Sequence, residues 1–263
     1  MTGPLIFTPE YYARMRALET EGWWNAAMRD VAGQMLRTVA LPTSGRLLDV
    51  GCGSGQTMTW FRALYPGWST QGVDIAEDGL AAARAFGEDV LHGTALDLPV
   101  PSSSVDAIIS LDVMQHLPLR GGDEQALREF KRVVRPGGVV LLRTNAQSIP
   151  HTEDDEEFAF HKYRVPELRG KLARAGFTPL RVGRLNALLG LVEIPREIRA
   201  RRHTKGHYTG ILGKPSNPKS ASWWLKRRWL RVEGAAVARG FSLPLGRTII
   251  ALAQVPLDAR RVA

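Results

Sequence analysis

The fold turns on Arg46-Leu-Leu-Asp-Val-Gly-Cys-Gly-Ser-Gly55, followed by Gly72-Val-Asp74. Leu47-Leu48-Asp49-Val50 reads as the end of a buried strand, and glycines at 51, 53 and 55 form the loop after it. Helical spacing begins at Gln56, with Met58, Phe61 and Leu64 on one side. Glycines at alternate positions let the chain turn tightly and let a ligand lie against bare backbone. A helix that starts there offers free N–H groups and a positive dipole end, which suits a carboxylate or phosphate. Asp74 closes the next apolar run, 19 residues past Gly55. Doubly wound folds place an acid near that distance to accept from ribose hydroxyls. The stretch therefore predicts a site for a nucleoside-containing cofactor, against the plainer reading of a tight strand-to-helix turn with no ligand.

The details narrow the cofactor. A dinucleotide fingerprint, Gly-x-Gly-x-x-Gly, needs glycine at 56, where this chain has Gln. A nucleotide-phosphate loop needs Gly-Lys-Ser/Thr, and no lysine lies near. What remains, Asp49-x-Gly51-x-Gly53-x-Gly55, resembles motif I of the class I methyltransferases that use S-adenosyl-L-methionine (SAM).

The 263 residues suit one large α/β domain or a domain with an elaboration. A single cysteine excludes a disulfide framework and a multi-cysteine zinc site. The start, Met-Thr-Gly-Pro-Leu-Ile-Phe, has no basic region before an apolar one, and no apolar run reaches membrane-spanning length. The expected location is cytoplasmic, with peripheral membrane contact left open. Net charge is +9 and unevenly spread. Residues 1–145 hold 13 Lys/Arg against 16 Asp/Glu, whereas residues 146–263 hold 22 against 10. The second half is where an anionic partner would bind.

Along the chain, Pro9–Val39 carries apolar and aromatic residues at helical spacing and reads as two helices broken near Glu21-Gly22. Trp23-Trp24 could line a pocket or simply pack this extension onto the core. Strand and helix then alternate, the pattern of a parallel sheet with right-handed crossovers. Strands are expected at 46–50, 69–74, 89–92, 105–111, 139–144, 178–185 and 247–254, with helices at 56–64, 77–86, 123–134 and 166–175.

Here the resemblance becomes more specific. Gly93-Thr-Ala-Leu-Asp-Leu-Pro99, Val105-Asp-Ala-Ile-Ile-Ser-Leu-Asp112 and Leu127-Arg-Glu-Phe-Lys-Arg-Val-Val-Arg-Pro-Gly-Gly138 are similar, in order and spacing, to the type 11 SAM methyltransferase domain, over about residues 45–145. Weaker likeness at Trp23-Trp24, His161–Leu168 and Arg184–Leu189 points to a bacterial subgroup. The resemblance implies that Asp49, Gly51, Gly53 and Gly55 hold the methionine part of SAM. It implies that Asp74 accepts from the ribose, that Ile75, Ala95 and Leu96 lie against adenine, and that Leu111 stands beneath the sulfonium end. Many members have Asp where this chain has Thr94, so a carboxylate contact to the adenine amine is missing.

The absences narrow the chemistry. Ser110-Leu-Asp-Val replaces the Asn/Asp-Pro-Pro-Tyr/Phe that enzymes methylating exocyclic base nitrogens resemble. Pyrimidine C5 methylation needs a nucleophilic cysteine, and Cys52 sits inside the cofactor loop as a small packing residue. His161 and His116 are the candidate proton acceptors, against a structural hydrogen-bonding role for each. Tyr163 could orient the acceptor and Trp24 could wall the pocket. The acidic run 153–157 lacks metal-ligand spacing, so no metal is expected.

Between strands 6 and 7 lie about 60 residues, too many for an idle loop. They read as amphipathic helices near Leu188–Arg202 and Ser222–Arg239 around a Gly/Pro/Ser-rich centre. Eleven Lys/Arg fall between 196 and 231. A helical cap over the pocket, a face for anionic membrane, and a nucleic-acid surface are the three readings.

The sequence thus predicts a Rossmann-like class I methyltransferase fold with a seven-stranded, mostly parallel sheet. Residues 1–45 form a helical extension, 46–185 the SAM-binding core, 186–246 a basic helical cap inserted before the last strand, and 247–263 that strand and a tail. The expected reaction is methylation, at oxygen, of a small-molecule or lipid-linked acceptor. Nucleic-acid methylation and SAM binding without turnover are the alternatives.

Overall fold

The computed structural model describes residues 22–147, 161–188, 190–191 and 220–257. The elements in order are α1 (Trp23–Leu36), β1 (Gly45–Val50), α2 (Gln56–Leu64), β2 (Trp68–Asp74), α3 (Glu77–Arg84), β3 (Val90–His92), β4 (Val105–Leu111), a 3₁₀ turn (Met114–His116), α4 (Gly122–Val133), β5 (Val134–Asn145), α5 (Val165–Arg174), β6 (Thr178–Leu185), α6 (Ala221–Ala238) and β7 (Thr248–Gln254). The strands form one sheet in the order β3-β2-β1-β4-β5-β7-β6. All neighbours run parallel except β7, which is antiparallel to both β5 and β6.

Both faces of the sheet are covered, so its central strands are apolar on alternate sides rather than on one. Leu48, Val50, Ile108, Val140 and Leu142 pack under α4 and α5. Leu47, Ala107, Ile109, Val139, Leu141, Ile250 and Leu252 pack under α1, α2 and α6. This explains why residues 47–50 and 139–142 read as unbroken apolar runs.

Two local differences from the sequence reading have physical causes. Arg135-Pro-Gly-Gly138, read as the turn before strand 5, lies inside β5. Gly137 takes φ +85° there and the register with β4 slips between Val105 and Ala107, so the turn signal is a bulge within the ladder. The expected helix near Ser222–Arg239 is α6, and it lies on a sheet face beside α1. Arg227 pairs with Asp30 (Nε–Oδ2 2.7 Å), and a side chain on Gly234 would strike Val31 and Gln34. The two helices run in the same direction, because Lys226 meets Trp23 while Arg231 meets Gln34. The first half of the Pro9–Val39 reading, most of the expected helix at Leu188–Arg202, the Gly/Pro/Ser-rich centre and the acidic run 153–157 lie outside the described residues.

Candidate active site at the switch point

The strand order reverses between β1 and β4, and open α/β sheets bind ligands at the carboxyl ends of strands flanking such a point. The loop after β1 is built for close approach. Gly51, Gly53 and Gly55 take φ of +76°, +50° and +80°, which residues with a Cβ resist. A Cβ on Gly51 would strike Val113 of the post-β4 segment, and one on Gly55 would strike the Glu88 side chain. The two lips of the cleft therefore touch through a missing side chain.

Asp74, nearly buried at the end of β2, braces this loop. Its Oδ2 accepts from Gly53 N (2.8 Å) and its Oδ1 from Ala76 N (2.9 Å). Each carboxylate oxygen keeps a second lone pair. Ile75, the next residue, is 64% exposed, an open aliphatic surface beside that carboxylate. Ala95 is buried and Leu96 half-buried nearby, packed with Val73. Thr94 accepts from Leu96 N (3.3 Å), so it serves the local turn, while Leu96 O accepts from Gln125 Nε2 (3.0 Å).

No side chain caps α2, whose first residue follows Gly55 in the left-handed region, so its opening amides point at the loop. The surroundings are electronegative. Burial, reinforced by the charges of Asp49, Asp74 and Glu88, pushes the Cys52 thiol up and keeps it protonated. Cys52 instead fills space against Gly72, where an added Cβ would meet its Sγ at 2.6 Å. A bare backbone cradle, uncapped amides, a ribose-distance acid, an open aliphatic face and local negative potential fit a cationic amino acid joined to a nucleoside. They fit SAM.

At the ends of β4 and β5 sits a cluster the sequence reading missed. Arg143, only 8% exposed, forks onto Asp112 (Nε–Oδ1 3.0 Å, Nη2–Oδ2 2.5 Å). The face of its guanidinium lies 4.6 Å from the centre of the Trp24 ring. Asp112 is held at φ +61°, a strained backbone of the kind stored at functional sites. Leu111 directly precedes it. An arginine within the apolar run Val139–Leu142-Arg143 was the available signal. Trp24 thus stands at the cleft edge, whereas Trp23 packs under Lys226 (5.5 Å).

The two histidines differ. His116 is exposed as the last residue of the 3₁₀ turn, and desolvation lowers its pKa against the opposing charge of Asp112. His161 stacks on Tyr163 (4.1 Å, 11°), its Nδ1 lies 3.9 Å from Asp123 Oδ2, and its Nε2 lies 3.5 Å from Glu167 Oε1. Its backbone N–H donates to Gln115 O (2.9 Å). Tyr163 corrects the expectation that it orients an acceptor. It is fully buried, and its hydroxyl donates to Asp123 (3.1 Å), with Met114 O at 3.3 Å. Burial first, then Asp123, raises its pKa and keeps it protonated. Tyr163 is a core residue, locked by the bond from its buried hydroxyl to Asp123 of α4. Among the described residues no group of side chains could hold a metal ion.

Comparison with known proteins agrees with this geometry. Residues 48–142 match a family described as a methyltransferase domain. Residues 48–142 are a class I, SAM-dependent methyltransferase domain. A tRNA (carboxymethyluridine(34)-5-O)-methyltransferase of Arabidopsis thaliana is 35% identical over 103 residues, 39% of this chain and 24% of the relative. The 27-O-demethylrifamycin SV methyltransferase of Amycolatopsis mediterranei is 29% identical over 136 residues, 46% of this chain and 48% of the relative. The chain thus spans a quarter to a half of these relatives. Among solved structures, phosphoethanolamine N-methyltransferase 2 of Haemonchus contortus, in complex with SAM, superposes with a TM-score of 0.62 at 17% identity. That match covers 95% of this chain and 57% of the other, and at such identity it shows the fold of the methyltransferase domain and nothing finer.

Proposed function

We propose that this chain transfers the methyl group of SAM to a hydroxyl of a small-molecule or lipid-linked acceptor. The observation that carries it is the Gly51–Gly55 loop braced by Asp74, a backbone cradle that any side chain would fill. SAM supplies a methyl on a positively charged sulfur, and the chain's residues do the rest. Asp49, Gly51, Gly53 and Gly55 hold the amino-acid end, with the α2 amides taking its carboxylate. Asp74 accepts from the ribose hydroxyls, Ile75, Ala95 and Leu96 enclose adenine, and Leu111 lies under the reacting end. Trp24 walls the acceptor side, Arg143 and Asp112 fix its rim, and positioning supplies most of the acceleration. His116, whose pKa is lowered by desolvation, takes the acceptor proton. Oxygen is favoured because the tRNA (carboxymethyluridine(34)-5-O)-methyltransferase and the 27-O-demethylrifamycin SV methyltransferase among the relatives are named for methylation at oxygen.

A second reading, methylation of RNA, is favoured by the tRNA enzyme among the relatives and by the basic second half. One experiment tests both. The full chain is titrated with SAM by calorimetry and then incubated with methyl-labelled SAM and separate small-molecule, lipid and RNA fractions of a cell extract. The expected result is saturable SAM binding with label in the small-molecule or lipid fraction. Label in RNA moves the function to the second reading. Binding without transfer to any fraction overturns catalysis, and absence of binding overturns the site.

A further inference from the structure

The outer side of α6 is an unusual surface. Trp223, Leu230, Gly234 and Val237 bury one side of the helix against α1 and the sheet. The opposite side exposes Trp224 (57%), Leu225 (70%) and Val232 (58%). Between and beside these lie Arg228 and Arg231, both exposed. The helix's one acid, Glu233, is buried and faces inward, accepting from the backbone N–H of Asn186 (2.6 Å) and Ala187 (3.1 Å) and from Trp229 Nε1 (2.6 Å). No acid of α6 therefore offsets the outward cations, and Asp30 of α1, which pairs with Arg227 and lies 3.8 Å from Arg231, leaves Arg228 as the cation of this face without an ion pair among the described residues. A shallow groove of about 800 Å³ runs along this side, lined by Trp224, Leu225, Arg228, Arg231 and Val232. Large apolar side chains grouped on a surface mark an interaction site.

We propose that this face of α6 lies on an anionic lipid surface. Charge selects an anionic partner, and the apolar residues choose between the two anionic macromolecules that could meet it. Nucleic acid stacks on aromatic rings but gains little from aliphatic chains. A bilayer interface buries Leu225 and Val232 as readily as Trp224, with arginines reaching the headgroups. The placement also has a use. The N-terminal ends of α1 and α6 share the sheet edge that holds Trp24 and Arg143, so a chain lying on α6 brings its candidate acceptor site to the lipid surface. The inference does not rest on methyl transfer, because it is read by binding alone.

The test is co-sedimentation of the full chain with phosphatidylcholine vesicles, with and without phosphatidylglycerol, at low and high salt. Binding is expected only with the anionic lipid and is expected to weaken as salt rises. Leu225→Glu and Arg228→Glu, both at exposed positions, should each weaken it by roughly tenfold or more while the melting temperature stays put. A second check is quenching of tryptophan fluorescence by doxyl-labelled lipid in the wild-type chain, which Trp224→Phe should reduce. Absence of vesicle binding, or binding unchanged in both charge variants, overturns the proposal. So does salt-sensitive binding to RNA that displaces the chain from vesicles.

Discussion

Asp74 takes one hydrogen bond from Gly53 N and one from Ala76 N, so its removal acts on the loop as well as on any ligand. Asp74→Ala is expected to weaken SAM binding by about 1.5–3 kcal/mol, the range for hydrogen bonds to a charged group. Asp74→Asn, which keeps an acceptor oxygen, should lose less. Calorimetry with a parallel melting curve separates ligand from loop, and unchanged affinity in the alanine variant would remove the ribose assignment. His161 carries the opposite lesson. Its spacing before α5 allowed a catalytic base, but both ring nitrogens face carboxylates and its ring lies flat on buried Tyr163. His161→Asn should therefore cost about 1 kcal/mol of stability, an ordinary point-mutation effect, with kcat within a few-fold of wild type. A loss of roughly 10²–10⁴ in kcat at unchanged stability would restore it as the base. Asp49, the glycines and Asp74 were legible because backbone sterics demand those residue types at those places. Arg143–Asp112 and the burial of Tyr163 were not, because each depends on which strands and helices become neighbours.

At the scale of elements, α2 is pinned to the chain entering β3 by a charged contact. Glu88, with 1% of its side chain exposed, accepts from Thr59 Oγ1 and from both terminal nitrogens of Arg62, each at 2.6 Å. Burial pushes the Glu88 carboxyl up, but the bonds from Arg62 and Thr59 win and hold it below the usual range. A carboxylate whose pKa is depressed by folding stabilises the fold above its unfolded pKa, and that stabilisation fades as pH falls through the folded value. Arg62→Met should cost about 1.5 kcal/mol at neutral pH, the low end for a charged hydrogen bond because Arg62 is 39% exposed. Urea titrations at neutral and acid pH check it. The gap between variant and wild type should close as Glu88 protonates, whereas a gap independent of pH would mean Arg62 acts by packing. Periodicity located every strand but β5, whose start lies five residues before the expected one, and most helices to within a residue or two, since apolar alternation and glycine stops are local. It could not say that α6 joins the layer of α1, because that packing is decided by Gly234 and Asp30, 204 residues apart.

For the whole molecule, the sheet is finished by its last strand. β7 arrives more than 60 residues after β6 in sequence, yet it fills the gap between β5 and β6 and pairs with both. The segment between them is stitched in at both ends: α6 covers the sheet beside α1, and Glu233 holds the amides that follow β6. A core ending at residue 185 would leave one side of β5 unpaired, detach β6, and expose the sheet face under α6. Ile249, Ile250 and Leu252 are buried to 1% or less. They contribute about 1.5–3 kcal/mol apiece, against a net stability of about 5–15 kcal/mol for a domain. Apolar burial in β7 alone is therefore comparable to the whole margin, before its two ladders are considered. A chain stopped at Gly246 is expected to lose cooperative thermal unfolding and to bind the dye ANS, while the full chain melts in a single transition. Calorimetry of the two proteins decides it. If the shortened chain melted cooperatively near the full-length midpoint, the residues up to 246 would be a self-sufficient unit, and β7 an addition to a sheet that already stood.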